Sequence, residues 1–329
     1  MANMLDETIR LHHVVASFIP VEVRPDVTEL VEKSTSQFKS PQITEWRGYR
    51  IGPPFCASSV QWQFNNWRPT EKDVLVASYP KTGTTWLTNI VRNIIYFDHI
   101  EILEMLKSVT PIHTYIEGGT PMNFELMQKL PWNRKIWGTH LPAKLVNMKR
   151  LKENGCKVLY IIRNPNDQLL SWFKMSKTFP FNHNKVTDQF YPTEWNSFFE
   201  TFVNGMQPLL SKEGEWYPDH ILSYYPYRND DNVLFVVFEN LKTNTKEEIG
   251  RIAEFLGVQR TEEEINHIVQ LSSFKSMKES AARFYEELKF FREGEVADWK
   301  NHFTVAQSEL MDEKFNEKLS RIDIKFIYE

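Results

Sequence analysis

A lysine and a run of small polar residues, Lys81-Thr82-Gly83-Thr84-Thr85, separate a short apolar segment from a helical pattern. Consecutive backbone N–H groups at a helix N-terminus have no intrahelical partner and lie at the positive end of the helix dipole, so they favour an anion. The three threonine hydroxyls add hydrogen-bond donors, and Lys81 adds a mobile positive charge. We therefore predict that this loop binds a phosphate or a similar anion.

A strand before this loop and a helix after it must hold it in place. Asp73–Tyr79 is a short apolar run with paired valines, typical of a buried strand, and apolar residues recur at helical spacing over Thr84–Phe97. The loop differs from the P-loop of nucleotide triphosphatases, because only one glycine is present and the lysine precedes it. An ordinary strand, turn and capped helix is the alternative interpretation, since threonine is a common N-cap residue.

The rest of the chain repeats this alternation of strands and helices. Alternation predicts one α/β domain with a mainly parallel central sheet flanked by helices. A chain of 329 residues with 41% apolar content can bury such a core. We place the domain at residues 46–329, with residues 1–45 as an N-terminal extension packed on it. The further predicted strands are Lys135–Thr139, Lys157–Arg163 and Asn232–Phe238, and the further helices are Asn166–Met175, Trp195–Gly205 and Lys246–Leu256.

Composition argues against several classes of protein. A net charge of −4 is wrong for a protein that coats a polyanion, so we expect no nucleic-acid partner. Cys56 and Cys156 lie in unrelated contexts without a Cys/His cluster, which predicts free thiols and no metal site. The N-terminal residues lack a signal-peptide pattern, and no apolar stretch approaches the roughly 20 residues that span a bilayer. We therefore expect a cytoplasmic protein without a membrane anchor.

Two polar residues stand at the ends of other predicted strands. His140 follows the second strand directly, and Arg163 ends the third. Because ligands of open parallel sheets bind outside the C-terminal strand ends, Lys81, His140 and Arg163 are predicted to converge at one edge. A base between two cations suits a group-transfer site. Taken singly, a histidine after a strand is more often a hydrogen-bonded structural residue than a base, and a surface ion pair is the default for a single arginine.

At these residues the chain resembles a known family. Tyr79–Trp86 is similar to the 5′-phosphosulfate loop of the cytosolic sulfotransferases, Tyr-Pro-Lys-[Ser/Thr]-Gly-Thr-Thr-Trp. These enzymes use 3′-phosphoadenosine 5′-phosphosulfate (PAPS), and their chemistry requires no metal. The resemblance implies that the cofactor's 5′ side is bound by Lys81, Thr82, Gly83, Thr84, Thr85 and Trp86.

The segment after the second strand extends the resemblance. Thr139-His140-Leu141-Pro142 is similar to the family's Lys-Thr-His-Leu-Pro, whose histidine takes the proton of the acceptor hydroxyl. The resemblance therefore implies that His140 is the general base, a task suited to imidazole because its ordinary pKa is near physiological pH. Gly138 stands where the family usually has lysine.

Two segments resemble the family's 3′-phosphate site. Arg163-Asn164-Pro165, with Asp167 and Ser171, is similar to Arg-[Asn/Asp]-x-x-Asp-x-x-x-Ser, which implies that Arg163 and Ser171 bind this phosphate. Near the C-terminus, residues 290–294 and 298–300 resemble Phe-x-Arg-Lys-Gly-x-x-Gly-Asp-Trp-Lys. This resemblance assigns the rest of the phosphate cradle to Phe291, Arg292, Glu293 and Gly294, with Glu293 in place of the usual lysine.

Aromatic residues are assigned to the adenine by the same resemblance. Trp86 and Phe274 offer flat faces to a purine, and Ser272 belongs to the segment that contacts the base. Phe238 occupies a position usually held by tyrosine.

The acceptor pocket and the oligomeric state are also assigned by resemblance. Phe55 and Tyr115 are expected to line the acceptor pocket together with His140. Lys300–Glu309 fits the family's dimerisation segment, Lys-x-x-x-Thr-Val-x-x-x-Glu, which implies a homodimer.

The resemblance as a whole implies transfer of the sulfuryl group of PAPS to a hydroxyl, or an amine, of a small acceptor. His140 would deprotonate the acceptor, and Lys81 would stabilise the leaving phosphate. One alternative, favoured by Gly138 and Glu293, is a protein that binds PAPS or its by-product adenosine 3′,5′-bisphosphate (PAP) with little transferase activity. The other is a P-loop nucleotide kinase, for which neither the motif nor a clear metal carboxylate is seen.

Overall fold

A computed structural model describes residues 42–53, 55–108, 114–118, 124–125, 127–128, 132–179, 185–279 and 297–328. Its centre is a parallel sheet of four strands in the order β4-β3-β5-β7, beside an antiparallel sheet in the order β1-β2-β6. The strands are β1 (Thr44–Trp46), β2 (Tyr49–Ile51), β3 (Val74–Ser78), β4 (Ile136–Thr139), β5 (Lys157–Ile162), β6 (Leu209–Ser211) and β7 (Val233–Val237).

The strands of the parallel sheet form because their sequences are short and almost wholly apolar. Every residue of β3 and β4 is buried, as is every residue of β5 after Lys157. Such runs suit a sheet covered by helices on both faces. Val74 pairs with Ile136 on one side and with Lys157 on the other, so the three strands end at nearly the same level.

Helices connect and cover the strands of the parallel sheet. Two of them, α2 and α5, begin six and three residues after the ends of β3 and β5, where their N-termini face the site described below. The helices are α1 (Ala57–Asn66), α2 (Thr84–Ile95), α3 (Ile100–Ser108), α4 (Met148–Glu153), α5 (Pro165–Ser176), α6 (Trp195–Val203), α7 (Tyr217–Tyr224), α8 (Phe238–Thr243), α9 (Thr245–Phe255), α10 (Glu262–Leu271), α11 (Phe274–Glu279) and α12 (Val305–Leu319).

The predicted fold class is confirmed, including the parallel sheet and its strand-loop-helix. Each predicted strand and helix is present, with ends that differ by one or two residues. Arg163 and Phe238, which the sequence placed inside strands, lie just past β5 and β7. The strands β1, β2 and β6 were not predicted, because three-residue strands are too short to show a period in the sequence.

The N-terminal extension predicted at residues 1–45 lies almost entirely outside the described residues. Of that range the structure describes only 42–45, and β1 crosses the predicted boundary. The division at residue 45 stays a prediction.

Candidate active site

The loop between β3 and α2 adopts a conformation that depends on glycine. Gly83 caps α2 with φ at +111°, a region that side chains strongly disfavour. A Cβ atom there would lie 2.7 Å from Cδ2 of Phe238 and 3.0 Å from Cδ1 of Ile161. Lys81 also has a positive φ of 69°. The loop therefore passes close to the sheet and leaves its outer side open.

Backbone amides at this turn are available to an anion. The first backbone hydrogen bond of the helix runs from Leu87 N to Gly83 O at 3.0 Å. In the described part of the chain, the amides of Gly83, Thr84, Thr85 and Trp86 have no hydrogen-bond acceptor. Four such donors at the positive end of a twelve-residue helix form an anion site.

Two of the loop threonines use their hydroxyls inside the protein. The hydroxyl of Thr82, which is fully buried, donates to the carbonyl of Tyr79 at 2.8 Å and lies 3.2 Å from that of Ile161. The hydroxyl of Thr84 lies 2.5 Å from that of Ser78. Both contacts fix the shape of the loop. Thr82 and Thr84 therefore offer a ligand mainly their backbone.

His140 lies at the end of β4, one strand away from the loop. Its Nδ1 atom is 2.9 Å from the carbonyl oxygen of Ser78 and 3.1 Å from the hydroxyl of the same residue. Because a carbonyl only accepts, Nδ1 carries the proton of the neutral ring, and the lone pair is on Nε2. Nε2 is therefore the atom of this histidine that can accept a proton.

A buried carboxylate holds the backbone of His140. Glu117, which has no exposed surface, accepts from the backbone N–H of His140 at 2.5 Å and from the hydroxyl of Thr139 at 2.8 Å. Burial raises the pKa of Glu117 from 4.5 to about 7, while both hydrogen bonds act in the opposite direction. The Glu117 carboxylate therefore fixes the backbone of His140, whose side chain is the candidate base.

A second histidine holds the other side of the same residue. Nε2 of His220 is 3.2 Å from the carbonyl oxygen of His140, and Nδ1 is 2.9 Å from the hydroxyl of Tyr160. The carbonyl requires a donor, so Nε2 carries the proton and the tyrosine donates to Nδ1. Burial lowers the pKa of His220 to about 3, which keeps it neutral.

The surroundings of His140 keep it neutral as well. Its pKa is lowered from 6.5 to about 4, mainly by burial and to a smaller extent by the positive charge of Lys81, whereas the hydrogen bond to Ser78 acts in the opposite direction. The ring is consequently unprotonated at neutral pH and ready to accept a proton.

Arg163 lies beneath the loop from β3. Its side chain, 8% exposed, is 3.5 Å from the carbonyl of Lys81 and 3.9 Å from the Asp167 carboxylate, and it stacks 4.3 Å from the ring centre of Phe238. Burial lowers the pKa of Arg163, but an arginine still carries its charge at neutral pH. A buried guanidinium beside the loop suits an anionic ligand.

Asp167 connects this arginine to the C-terminal part of the chain. Its carboxylate accepts from the backbone N–H of Ala297 at 2.9 Å and from that of Trp299 at 3.1 Å. It also accepts from the side-chain amide of Asn164 at 2.9 Å. The segment that follows residues 291–294 in the sequence is thus attached beside Arg163.

Aromatic side chains lie at the start of α2, next to the loop that follows β3. The indole N–H of Trp86 donates to the carbonyl of Ser272 at 2.9 Å, and its ring meets that of Phe238 edge-on at 5.3 Å. Phe274 is the first residue of α11, two positions after Ser272, and is half-buried.

The rings predicted for the acceptor pocket are also close to one another. Tyr115 lies 4.8 Å from His140 and 6.2 Å from Phe55, measured between ring centres. Phe55 is held by a backbone bridge to Gly118. The rings of Phe55, Tyr115 and His140 therefore form one contiguous group.

Most residues proposed from the sequence therefore gather at the C-terminal edge of the parallel sheet. Ser171 is half-buried on α5 and makes no side-chain hydrogen bond with the described residues. Four proposed residues, Phe291, Arg292, Glu293 and Gly294, lie outside the described residues.

Glu117 and His220 were missed by the sequence analysis. Each lies far from His140 in the chain, by 23 and 80 residues respectively. The sequence shows no motif around either, so only the tertiary contact reveals them.

Within the residues that the structure describes, no group of three His, Cys, Asp or Glu side chains is placed to hold a metal ion. None of the described helices is long and apolar enough to cross a membrane.

The fold and the site define an α/β protein whose strand-loop-helix offers open backbone amides to an anion, with a neutral histidine beside it. The sulfotransferase domain model matches residues 71–323. Sulfotransferase 1C2 of Oryctolagus cuniculus is 31% identical over 310 residues, which cover 90% of this chain and 99% of the relative. Sulfotransferase 1C2 of Homo sapiens is 31% identical over 304 residues, covering 88% and 97%. The chain therefore belongs to the sulfotransferase family and is an enzyme that transfers sulfuryl groups.

Solved structures agree with this assignment. Mouse sulfotransferase SULT7A1 complexed with PAP superposes with a TM-score of 0.68 at 27% identity, covering 85% of this chain and 96% of that one. Retinol dehydratase in a complex with retinol and PAP gives a TM-score of 0.69 at 22% identity, covering 92% and 97%. The second comparison supports the fold alone.

Proposed function

We propose that this enzyme transfers the sulfuryl group of PAPS to a hydroxyl, or an amine, of a small acceptor. The observation that carries the proposal is the position of His140. Its Nδ1 proton is fixed on the carbonyl of Ser78, at the end of the strand that leads into the anion-binding loop, so the lone pair of the ring is on Nε2. PAP in a solved relative supports PAPS as the donor.

The chain offers donors that fit the anionic groups of PAPS. The open amides of residues 83–86 and the ammonium of Lys81 would hold the 5′-phosphate. A Cβ atom at Gly83 would press against Phe238 and Ile161, so glycine allows the loop conformation that presents these amides. When bound, PAPS would supply an activated sulfuryl group.

The other end of PAPS has a matching set of residues. Arg163 and Ser171 would bind the 3′-phosphate, with Phe291, Arg292, Glu293 and Gly294 completing the cradle. Support comes from the buried guanidinium and from the attachment of Ala297 to Asp167. The adenine would pack among the side chains of Trp86, Phe238, Ser272 and Phe274.

His140 would act as the general base. Nε2 accepts the proton of the acceptor, while the Ser78 carbonyl keeps Nδ1–H fixed and favours the positive charge that the ring then acquires. Lys81 stabilises charge on the departing phosphate oxygen. PAPS is an anion, so its binding should offset the positive charge of Lys81. The pKa of His140 should then rise towards neutral pH, where a general base is most effective.

The remaining parts of the proposal concern the acceptor and the assembly. Phe55 and Tyr115 would line the acceptor pocket with His140. A homodimer would form through Lys300–Glu309, where Val305 at the start of α12 is 76% exposed. We propose a cytoplasmic location and no requirement for nucleic acid, membrane or metal.

An acceptor screen tests the proposed function. Phenols, steroids, aliphatic alcohols and arylamines are each incubated with PAPS and enzyme in EDTA, and sulfated products are sought by mass spectrometry. Product with any acceptor supports the proposal and excludes a magnesium-dependent kinase. PAP binding by calorimetry without product from the whole panel would favour a nucleotide-binding protein with little turnover.

A further inference from the structure

Gly138 lies beneath the ring of Tyr115 at the edge of the parallel sheet. The strand β4 is an edge strand, and residues 115–118 run beside it, with Ile116 N donating to Gly138 O at 3.0 Å. A Cβ atom on Gly138 would lie 3.3 Å from both Cε2 and Cζ of Tyr115. The tyrosine ring thus occupies the space that a side chain at position 138 would need.

The backbone gives no reason for glycine here. Gly138 does not share the positive φ found at Gly83, so another residue could adopt its conformation. The requirement for glycine at position 138 therefore comes from the ring above it.

The position of this ring bears directly on the reacting residue. Along a strand, alternate residues point to the same side, so position 138 shares a side with His140. The rings of Tyr115 and His140 are only 4.8 Å apart, with Phe55 beyond. A displaced Tyr115 would therefore change the space beside the imidazole of His140.

We propose that Gly138 is a specificity-determining residue, which sets the width of the acceptor pocket by letting Tyr115 lie against β4. The inference rests on the proposed function, because it assumes that the acceptor binds beside His140. A methyl group at position 138 would push the ring outward by a few tenths of an ångström and narrow the pocket for a flat aromatic acceptor.

A double-mutant cycle tests the proposal with 2-naphthol as the acceptor. Gly138→Ala should raise KM for 2-naphthol about fivefold, while kcat changes much less and PAP affinity stays the same. In a Tyr115→Phe background the effect should persist, since the ring remains. In a Tyr115→Leu background it should disappear. Gly250→Ala, where a Cβ would meet only Ile265 at 3.9 Å, is the control.

The outcomes separate the proposal from the function on which it rests. An equal effect of Gly138→Ala on KM in all three backgrounds, or no effect in any, would overturn the role of Gly138. If the wild type forms no product, the same cycle is measured as 2-naphthol dissociation constants in the presence of PAP. If the effect of Gly138→Ala on these dissociation constants depends on the residue at position 115, the role of Gly138 stands even though the transferase proposal fails. If the wild type does not bind 2-naphthol at all, the inference about Gly138 is overturned.

Discussion

Glu117→Gln should change how the stability of the protein depends on pH. The Glu117 carboxyl is fully buried, and burial raises its pKa from 4.5 to about 7. The folded state therefore binds more protons than the unfolded state between these values. The stability that this group contributes is fully present below pH 4.5 and is lost as the pH rises through 7.

The size of the effect follows from the shift. Each pKa unit corresponds to about 1.4 kcal/mol, so the full loss is about 3 kcal/mol, most of it between pH 5 and pH 8. Glutamine does not titrate. Relative to wild type, Glu117→Gln should thus gain about 2 to 3 kcal/mol of unfolding free energy across this range.

Urea unfolding at several pH values measures the difference. His140 and His220 also titrate differently in the folded state, but both are present in each protein, so their contributions cancel in the comparison. Glu254→Gln, an exposed change on α9, serves as the control. Unfolding free energies that run parallel with pH in Glu117→Gln and wild type would refute the buried, high-pKa carboxylate beneath His140.

Three further variants test the cofactor site and the assembly. Gly83→Ala places a Cβ atom 2.7 Å from Phe238 at a φ of +111°, so PAP affinity measured by calorimetry should fall at least about tenfold, and unchanged affinity would contradict the cradle. Glu293→Lys should tighten PAP binding by roughly tenfold, with a gain that shrinks at higher salt; a salt-independent, unchanged affinity ratio would place Glu293 outside the field of the phosphate. Val305→Glu should be a monomer in light scattering and should remain active in the transferase assay. A wild type already monomeric at micromolar concentration would argue against the proposed interface.

The parts of the fold that the sequence predicted are those with strong local signals. The strands β3, β5 and β7 are continuous apolar runs, and α2 follows a polar loop and carries apolar residues at helical spacing. The rule that ligands bind at the C-terminal strand ends then placed Lys81, His140 and Arg163 together without any knowledge of tertiary contacts.

The support around His140 could not be predicted in the same way. Glu117 lies in a short segment beside β4, and His220 lies on α7, with no pattern in the sequence that ties either to the base. Their hydrogen bonds to the N–H and C=O of His140 depend on how the chain packs. The same is true of Gly138, whose role emerges from the ring that covers it.

The role of His140 in sulfuryl transfer is the central claim, and one comparison tests it most directly. Turnover with PAPS and PAP affinity are measured for wild type and His140→Ala, using an acceptor found in the screen. Turnover should fall by roughly two to four orders of magnitude, because a positioned base contributes about that much, while PAP affinity stays close to wild type. A variant that keeps most of the wild-type turnover would contradict the assignment of His140 as the base.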